Sequence, residues 1–291
     1  MVKLTGQRAE GRGTKDLVIS TSRISALAPL LFALLLSTAC DLAAGHLMGR
    51  AVEEWTHTYP LPAGAELRIV NINGKIDVEG VADSSTVEIR AEKIARAATD
   101  VGARELLPRI AIKEDVQPTR VAVETERMNG IMIGAAFEVR YHVRAPKNAT
   151  VNLTTTNGGI ALTALAGRTV AHTTNGGVNA KEMGGTIEAK STNGGVTLDL
   201  ASLGADRISA RTTNGGVVLM LPPSAKADLS ASCTNGGINV APDLNLDITE
   251  HSRRNLEARL NGGGTPIDLH TTNGGVRIKP RGTAERETVE R

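Results

Sequence analysis

The tetrapeptide Thr-Asn-Gly-Gly occurs six times in this chain, with its Asn at positions 157, 175, 193, 214, 235 and 273. The steps between copies are 18, 18, 21, 21 and 38 residues, the last being twice 19. A period near 20 residues is the signature of a solenoid, in which each unit packs only on its neighbours. The flanks repeat too. The third residue after each Asn is Ile160, Val178, Val196, Val217, Ile238 or Val276, and the fifth is Leu162, Ala180, Leu198, Leu219, Val240 or Ile278. The fourth before it is Leu153, Ala171, Ala189, Ala210, Ala231 or Leu269, and the second is Thr155, Thr173, Ser191, Thr212, Cys233 or Thr271. Apolar or small residues at a period of two on both sides of a Gly-Gly corner describe two β-strands per unit, each burying one face.

Asn-Gly between alternating strands is also a strong hairpin signal. Antiparallel hairpins, however, give no reason for every turn to carry the same four residues at near-constant spacing. Parallel coils do, because equivalent positions then lie about 4.8 Å apart and Asn stacks on Asn. The expected fold is therefore all-β: a parallel β-helix, or β-solenoid, with rungs of about 18–21 residues. Its corners are Asn157-Gly158, Asn175-Gly176, Asn193-Gly194, Asn214-Gly215, Asn235-Gly236 and Asn273-Gly274, with φ expected to be positive at the glycines.

The array spans 147–280. Within the doubled interval, Leu244, Leu246 and Ile248 alternate as a strand of a rung that has lost the motif, and Asn261 to Gly264 reads as a turn. Residues 281–291 form a polar tail. Upstream, 56–146 reads as a β-rich part, in which Leu67, Ile69, Ile76 and Val78 around Asn73-Gly74 form a first coil. Thr86 to Arg90, Arg120 to Thr125 and Phe137 to Val143 alternate as strands. Thr99 to Leu107 has an N-cap candidate in Thr99 or Asp100 and Pro108 as a stop, the pattern of a short helix able to cap the open end of the solenoid.

The N-terminus reads as a targeting segment. Ile24 to Ala39 holds 16 apolar or small residues after Arg23, too short to span a membrane but fitting the core of a secretory signal. It ends in Leu36-Ser37-Thr38-Ala39-Cys40, which resembles the lipobox of bacterial lipoproteins. That resemblance implies removal of residues 1–39, lipid on Cys40, and a linker over 40–55. Residues 1–40 carry five cations and two anions, so without them the formal net charge of +2 becomes −1. No basic excess remains to argue for nucleic acid, and with aromatics at 2% there are few rings on which bases would stack. The expected location is the bacterial cell envelope, membrane-anchored on the non-cytoplasmic side.

From Tyr59-Pro60-Leu61-Pro62 into Leu67 to Val78, and through the repeated units from 156 to 279, the chain resembles the bacterial putative-adhesin domain family of unknown function. That family is built as single-stranded β-helices. The resemblance covers roughly residues 55–280 and implies architecture; it brings no catalytic residues.

Chemical motifs are sparse. No Gly-Lys-Ser or Gly-Lys-Thr follows a glycine-rich loop, the residues after Gly-Gly are not the Asp of a calcium solenoid, and His46, His57, His142, His172, His251 and His270 lack metal-ligand spacing. Neither metal nor cofactor is expected. Cys233 reads as a small buried side chain rather than a nucleophile. One row stands out: the third residue before each Asn faces outward, which places His172, Lys190 and Arg211 on consecutive rungs as a basic line about 10 Å long. Such a line would suit an acidic glycan or an envelope protein; alternatively it is a solvated face with Glu188 shielding Lys190. The expectation is a non-catalytic, adhesin-like binding or structural module. The competing reading is a polysaccharide lyase or hydrolase using Glu188, Lys190, Asp199 and Arg211.

Overall fold

The computed structural model describes residues 48–127 and 134–282, all within one compact unit. The signal segment, Cys40 and the tail from 283 onward lie outside the described residues.

The chain opens with β1 (Gly49–Pro60), the pair β2 (Glu66–Asn73) and β3 (Ile76–Val81), and β4 (Thr86–Ala97). Helix α1 (Asp100–Leu106) follows, then β5 (Ile112–Gln117), β6 (Arg120–Thr125) and β7 (Ala135–Pro146). Next come four pairs: β8 (Thr150–Asn157) with β9 (Ile160–Thr163), β10 (Thr169–Asn175) with β11 (Val178–Met183), β12 (Ile187–Asn193) with β13 (Val196–Leu200), and β14 (Ile208–Asn214) with β15 (Val217–Leu221). The last segments are β16 (Ala227–Asn235), β17 (Ile238–Val240), β18 (Leu246–His251), β19 (Asn255–Leu260), β20 (Thr265–Asn273) and β21 (Val276–Pro280).

These strands form two facing sheets. The first runs β1-β4-β7-β3-β9-β11-β13-β15-β21-β17, the second β18-β19-β16-β20-β14-β12-β10-β8-β2-β6-β5. Each rung contributes one strand to each sheet, and the corner between them carries the Asn-Gly step. The rungs are parallel and in register, with Asn73 opposite Asn157, then 175, 193, 214, 273 and 235 in turn. The all-β solenoid read from the repeat is thus the fold of the protein.

Three features differ from the sequence reading. First, the last two motif copies are exchanged in space: β20-β21 lies between β14-β15 and β16-β17. Second, the doubled interval contains no further rung. Leu246 to His251 instead forms β18, antiparallel to β19, which is itself antiparallel to β16 and closes that end. A period shows how many units stack, not their order. Third, residue 146 marks no boundary in space. Strands β6 and β7 make a rung stacked on β2-β3, which stacks on β8-β9 around one core, and residues 49–55, expected as linker, are the first half of β1.

The alternation translates directly into burial. The apolar positions three and five residues after Asn are buried in every rung except the terminal one, where Ile238 and Val240 are half-buried. Helix α1 begins as its sequence demands, with Thr99 Oγ1 accepting from the Gly102 amide at 3.1 Å, and it buries Ala103 and Leu106. It joins the first sheet to the second at the end where β4 and β5 add antiparallel strands, so strands as well as the helix close that end.

The corners explain the repeat. A Cβ on the first glycine would collide with the carbonyl oxygen of the equivalent glycine one rung away: 2.0 Å at Gly158, 2.2 Å at Gly176 and Gly194, 2.3 Å at Gly215, 2.0 Å at Gly274 and 1.8 Å at Gly236. Close backbone approach therefore imposes this glycine. The φ angles do less: Gly176, Gly194, Gly215 and Gly274 sit at 154–159°, near the extended limit, and Gly158 and Gly236 lie outside the left-handed range. The second glycine is less constrained, and in the first coil Lys75 occupies its place.

Side chains then tie the corners together. Asn157 Nδ2 donates to Asn73 Oδ1, Asn175 to Asn157, Asn193 to Asn175, Asn214 to Asn193, Asn273 to Asn214 and Asn235 to Asn273, all at 2.8–2.9 Å. Behind them, the buried hydroxyls of Thr173, Ser191, Thr212 and Thr271 donate to the first-glycine carbonyl of the preceding rung at 2.7–2.8 Å. This is why the residue two before Asn is small and hydroxylated in most copies. Cys233 holds that place on the terminal rung, 5% exposed, with Arg253 O 3.9 Å from its Sγ.

Two adjacent glycines give the test. Gly194→Ala is expected to cost about 3 kcal/mol or more through overpacking against Gly176, whereas Gly195→Ala, whose Cβ would stand 3.3 Å from Gly216 O, should cost less than about 1 kcal/mol. Thr197→Val, on an outward strand position, should change stability by less than about 0.5 kcal/mol. Equal unfolding midpoints for the three variants would contradict this corner geometry.

Candidate functional site

The outward face of the second sheet carries the basic row. Its strands alternate strictly, so the residue three before each Asn points away from the core on every rung. In register, His172 stands opposite Lys190 and Lys190 opposite Arg211. The exchanged rung then places His270, rather than Ser232, next to Arg211. The row is therefore longer than the sequence order implies: His172, Lys190, Arg211 and His270, about 14 Å at strand spacing.

Its members differ in their partners. His172 Nε2 lies 3.4 Å from Glu188 Oε1, and His270 Nδ1 lies 2.9 Å from Ser232 Oγ. Glu188, expected to shield Lys190, thus lies against a histidine on the neighbouring rung instead. Lys190 and Arg211 are exposed, and among the described residues neither makes an ion pair. On the first sheet's outer face near the chain's entry, charges are paired. There, Asp77 is 2.5 Å from Lys75 and 3.5 Å from His142, and Arg144 approaches Glu79 at 3.9 Å, so opposite charges are interleaved.

A second rank runs beside the basic row. The residue immediately before Asn is Thr156, Thr174, Thr192, Thr213, Thr272 and Thr234 in spatial order, half-buried at Thr156 and Thr272 and exposed at the others. Every copy of the motif contains this threonine, yet sequence reasoning passed over it as part of the corner. Hydroxyls and cations thus form two parallel ranks, two residues apart along each strand.

The four residues of the lyase or hydrolase reading do not come together. Glu188, Lys190 and Arg211 are on the second sheet, whereas Asp199 is on β13 of the first, its side chain 17% exposed and its Oδ1 2.8 Å from Arg281 Nε. Among the described residues, no group of three His, Cys, Asp or Glu is arranged to hold a metal ion.

No curated protein matches this sequence significantly. Among solved structures, a putative cell adhesion protein from Clostridium sporogenes aligns at 10% identity with a TM-score of 0.42, covering 79% of this chain and all of its own. A putative adhesin from Bacteroides fragilis aligns at 10% identity and TM-score 0.29, covering 79% of this chain and 97% of its own. Neither likeness is close enough to transfer a ligand. The profile of Toastrack DUF4097, a domain family of unknown function, matches residues 65–279, from the strand that opens the first coil to the final motif-bearing rung. The chain belongs to the Toastrack DUF4097 family.

Proposed function

We propose that this protein is a non-catalytic, adhesin-like binding module of the bacterial cell envelope, anchored on the non-cytoplasmic side by lipid on Cys40. Its ligand is an extended acidic glycan, laid along the solenoid axis over His172, Lys190, Arg211 and His270. The observation that carries this reading is the pair Lys190 and Arg211: adjacent in register, exposed, and without an ion-pair partner among the described residues. A linear polyanion meets cations on two consecutive rungs, Lys190 and Arg211, flanked by His172 and His270, and the threonine rank beside them offers hydroxyls to a hydroxyl-rich polymer. The apolar segment ending at Cys40 supports export and anchoring. Affinity on such a face is the sum of many weak contacts.

Two measurements test the reading. Mass spectrometry of the membrane fraction should find a mature chain beginning at acylated Cys40; a soluble, unmodified N-terminus at another residue would sink the anchor. Replacing both Lys190 and Arg211 with Ser should weaken binding to an acidic polysaccharide roughly tenfold at low ionic strength, since each exposed charge contributes up to about 1 kcal/mol. The difference should shrink at physiological salt, where screening acts over about 8 Å. Incubating the domain with that polysaccharide should release no new reducing or unsaturated ends, and saturable release abolished by either single substitution would overturn the non-catalytic reading.

A further inference from the structure

The first sheet extends one strand beyond the second at the end where the chain enters the solenoid. Strand β4 is level with β5, whereas β1 has no counterpart opposite it. Helix α1 covers the Gly49 half of β1: a Cβ at Gly49 would meet the Thr99 backbone at 2.0 Å, and the Arg50 amide donates to Asp100 Oδ1 at 3.1 Å. Over the other half, the core-facing side chains Trp55, His57 and Tyr59 remain half-buried or exposed. Trp55 stacks on His57 with ring centroids 4.4 Å apart. The Tyr59 hydroxyl donates to Glu114 on β5, and His57 Nδ1 lies 2.8 Å from that hydroxyl.

Apolar exposure gathers at this same end. Four of the five large hydrophobic residues exposed on the described surface are there: Met48 at 81%, Val52 on β1, Val101 on α1 and Val116 on β5. Val52 lies on the face of β1 opposite to Trp55 and Tyr59, so apolar and aromatic side chains border this end on both sides of its edge strand, the composition of an interaction site. Three of the carboxylates around it are paired. Glu53 is 2.8 Å from Lys93, Glu54 is 2.5 Å from Arg90, and Asp115 is 2.7 Å from Arg120. Burial and the hydrogen bond to Glu114 hold the Tyr59 hydroxyl well above its usual range, so it stays neutral. Exposed charges, Arg104, Glu105 and Lys113 among them, are interspersed with these apolar and aromatic side chains.

The chain itself limits what lies opposite. Strand β1 begins nine residues after Cys40, and nine residues reach at most about 30 Å even when fully extended. A lipid on Cys40 therefore keeps this end within about 30 Å of the bilayer.

We infer that the β1-α1-β5 end of the solenoid rests on the lipid surface, with Trp55, Tyr59, Val52 and Val116 at the headgroup level; this rests on the anchored reading above. Tryptophan and tyrosine are favoured there because an apolar ring meets acyl chain while its polar atom stays wet. Contact stands the solenoid upright, with its axis along the membrane normal and the basic row directed outward.

Trp55 is the only tryptophan in the chain, so its emission reports on this surface alone. The mature chain, with Cys233→Ser leaving Cys40 as the sole thiol, would be coupled through Cys40 to maleimide lipid in phosphatidylcholine vesicles containing brominated acyl chains. Trp55 emission should shift to the blue and be quenched relative to the same protein free in solution. Val52→Asp combined with Val116→Asp, both at exposed sites and checked for an unchanged melting temperature, should restore the free-protein emission. An unquenched Trp55 in the tethered protein, or equal quenching in the double variant, would overturn the proposal. Because the tether is chemical, this outcome is separate from whether the cell acylates Cys40, which mass spectrometry of the native chain decides.

Discussion

Rungs of this solenoid meet through the carbonyl of one corner glycine, which occupies the space where the next rung's Cβ would be. That contact lets the two sheets close at strand spacing along the corner edge. The asparagine ladder depends on it, since its amides fall 2.8–2.9 Å apart only because their backbones keep this approach. So do the hydroxyls of Thr173, Ser191, Thr212 and Thr271, whose acceptors are those same glycine carbonyls. A core of Val, Ile, Leu and Ala then fills the space between the sheets with few bulky rings, because identical residues recur on every rung and must fit the same cross-section. Tyr141, buried with its hydroxyl 2.8 Å from Thr125, is the exception, on a rung whose corner lacks the motif.

Much of this was legible in the sequence because a period of two and a fixed corner are local properties. The inward positions, the outward row, the N-cap at Thr99 and the first coil at Asn73 all follow from spacing alone. Spatial order was not legible. All copies of the motif are alike, so the sequence contains no local mark saying that Asn273 stacks on Asn214. The neighbours of Arg211 were therefore misplaced, and Leu244, Leu246 and Ile248, which lead into and belong to β18, were read as a strand of a further rung. Side-chain pairing across rungs was equally hidden: Glu188 is two residues from Lys190 along the chain, yet it lies against His172 on the adjacent strand. Asp199 and Arg211 are close in sequence but face opposite directions because a corner separates their strands.

A solenoid must stop its own growth, since terminal rungs present unpaired backbone to any other strand. Here the entry end switches from parallel to antiparallel pairing through β4, β5 and β1, and at the far end the second sheet does so through β19 and β18, while the first sheet ends on β17, parallel to β21. The motif is absent from these antiparallel strands, so they extend neither the asparagine nor the glycine ladder. Charged residues occupy the outermost strand at the far end, where Asp247, Glu250 and His251 are exposed. The terminal corner is closed by the loop joining β18 and β19: Ile238 and Cys233 donate their amides to Arg253 and Arg254 carbonyls at 3.1 and 2.9 Å.

The exchange of the last two rungs makes the order of synthesis differ from the order of stacking. As the chain emerges N-terminus first, β16 and β17 become free to pack before β20 and β21, the strands they will finally touch, while β14 and β15 offer an open edge with the same motif and the same register. Docking there satisfies the asparagine and glycine ladders locally but occupies the slot reserved for the later copy. The native arrangement therefore requires that edge to stay vacant, or to be vacated, until residues 265–280 arrive. Repetition, which makes each added rung easy to place, leaves this one position dependent on timing.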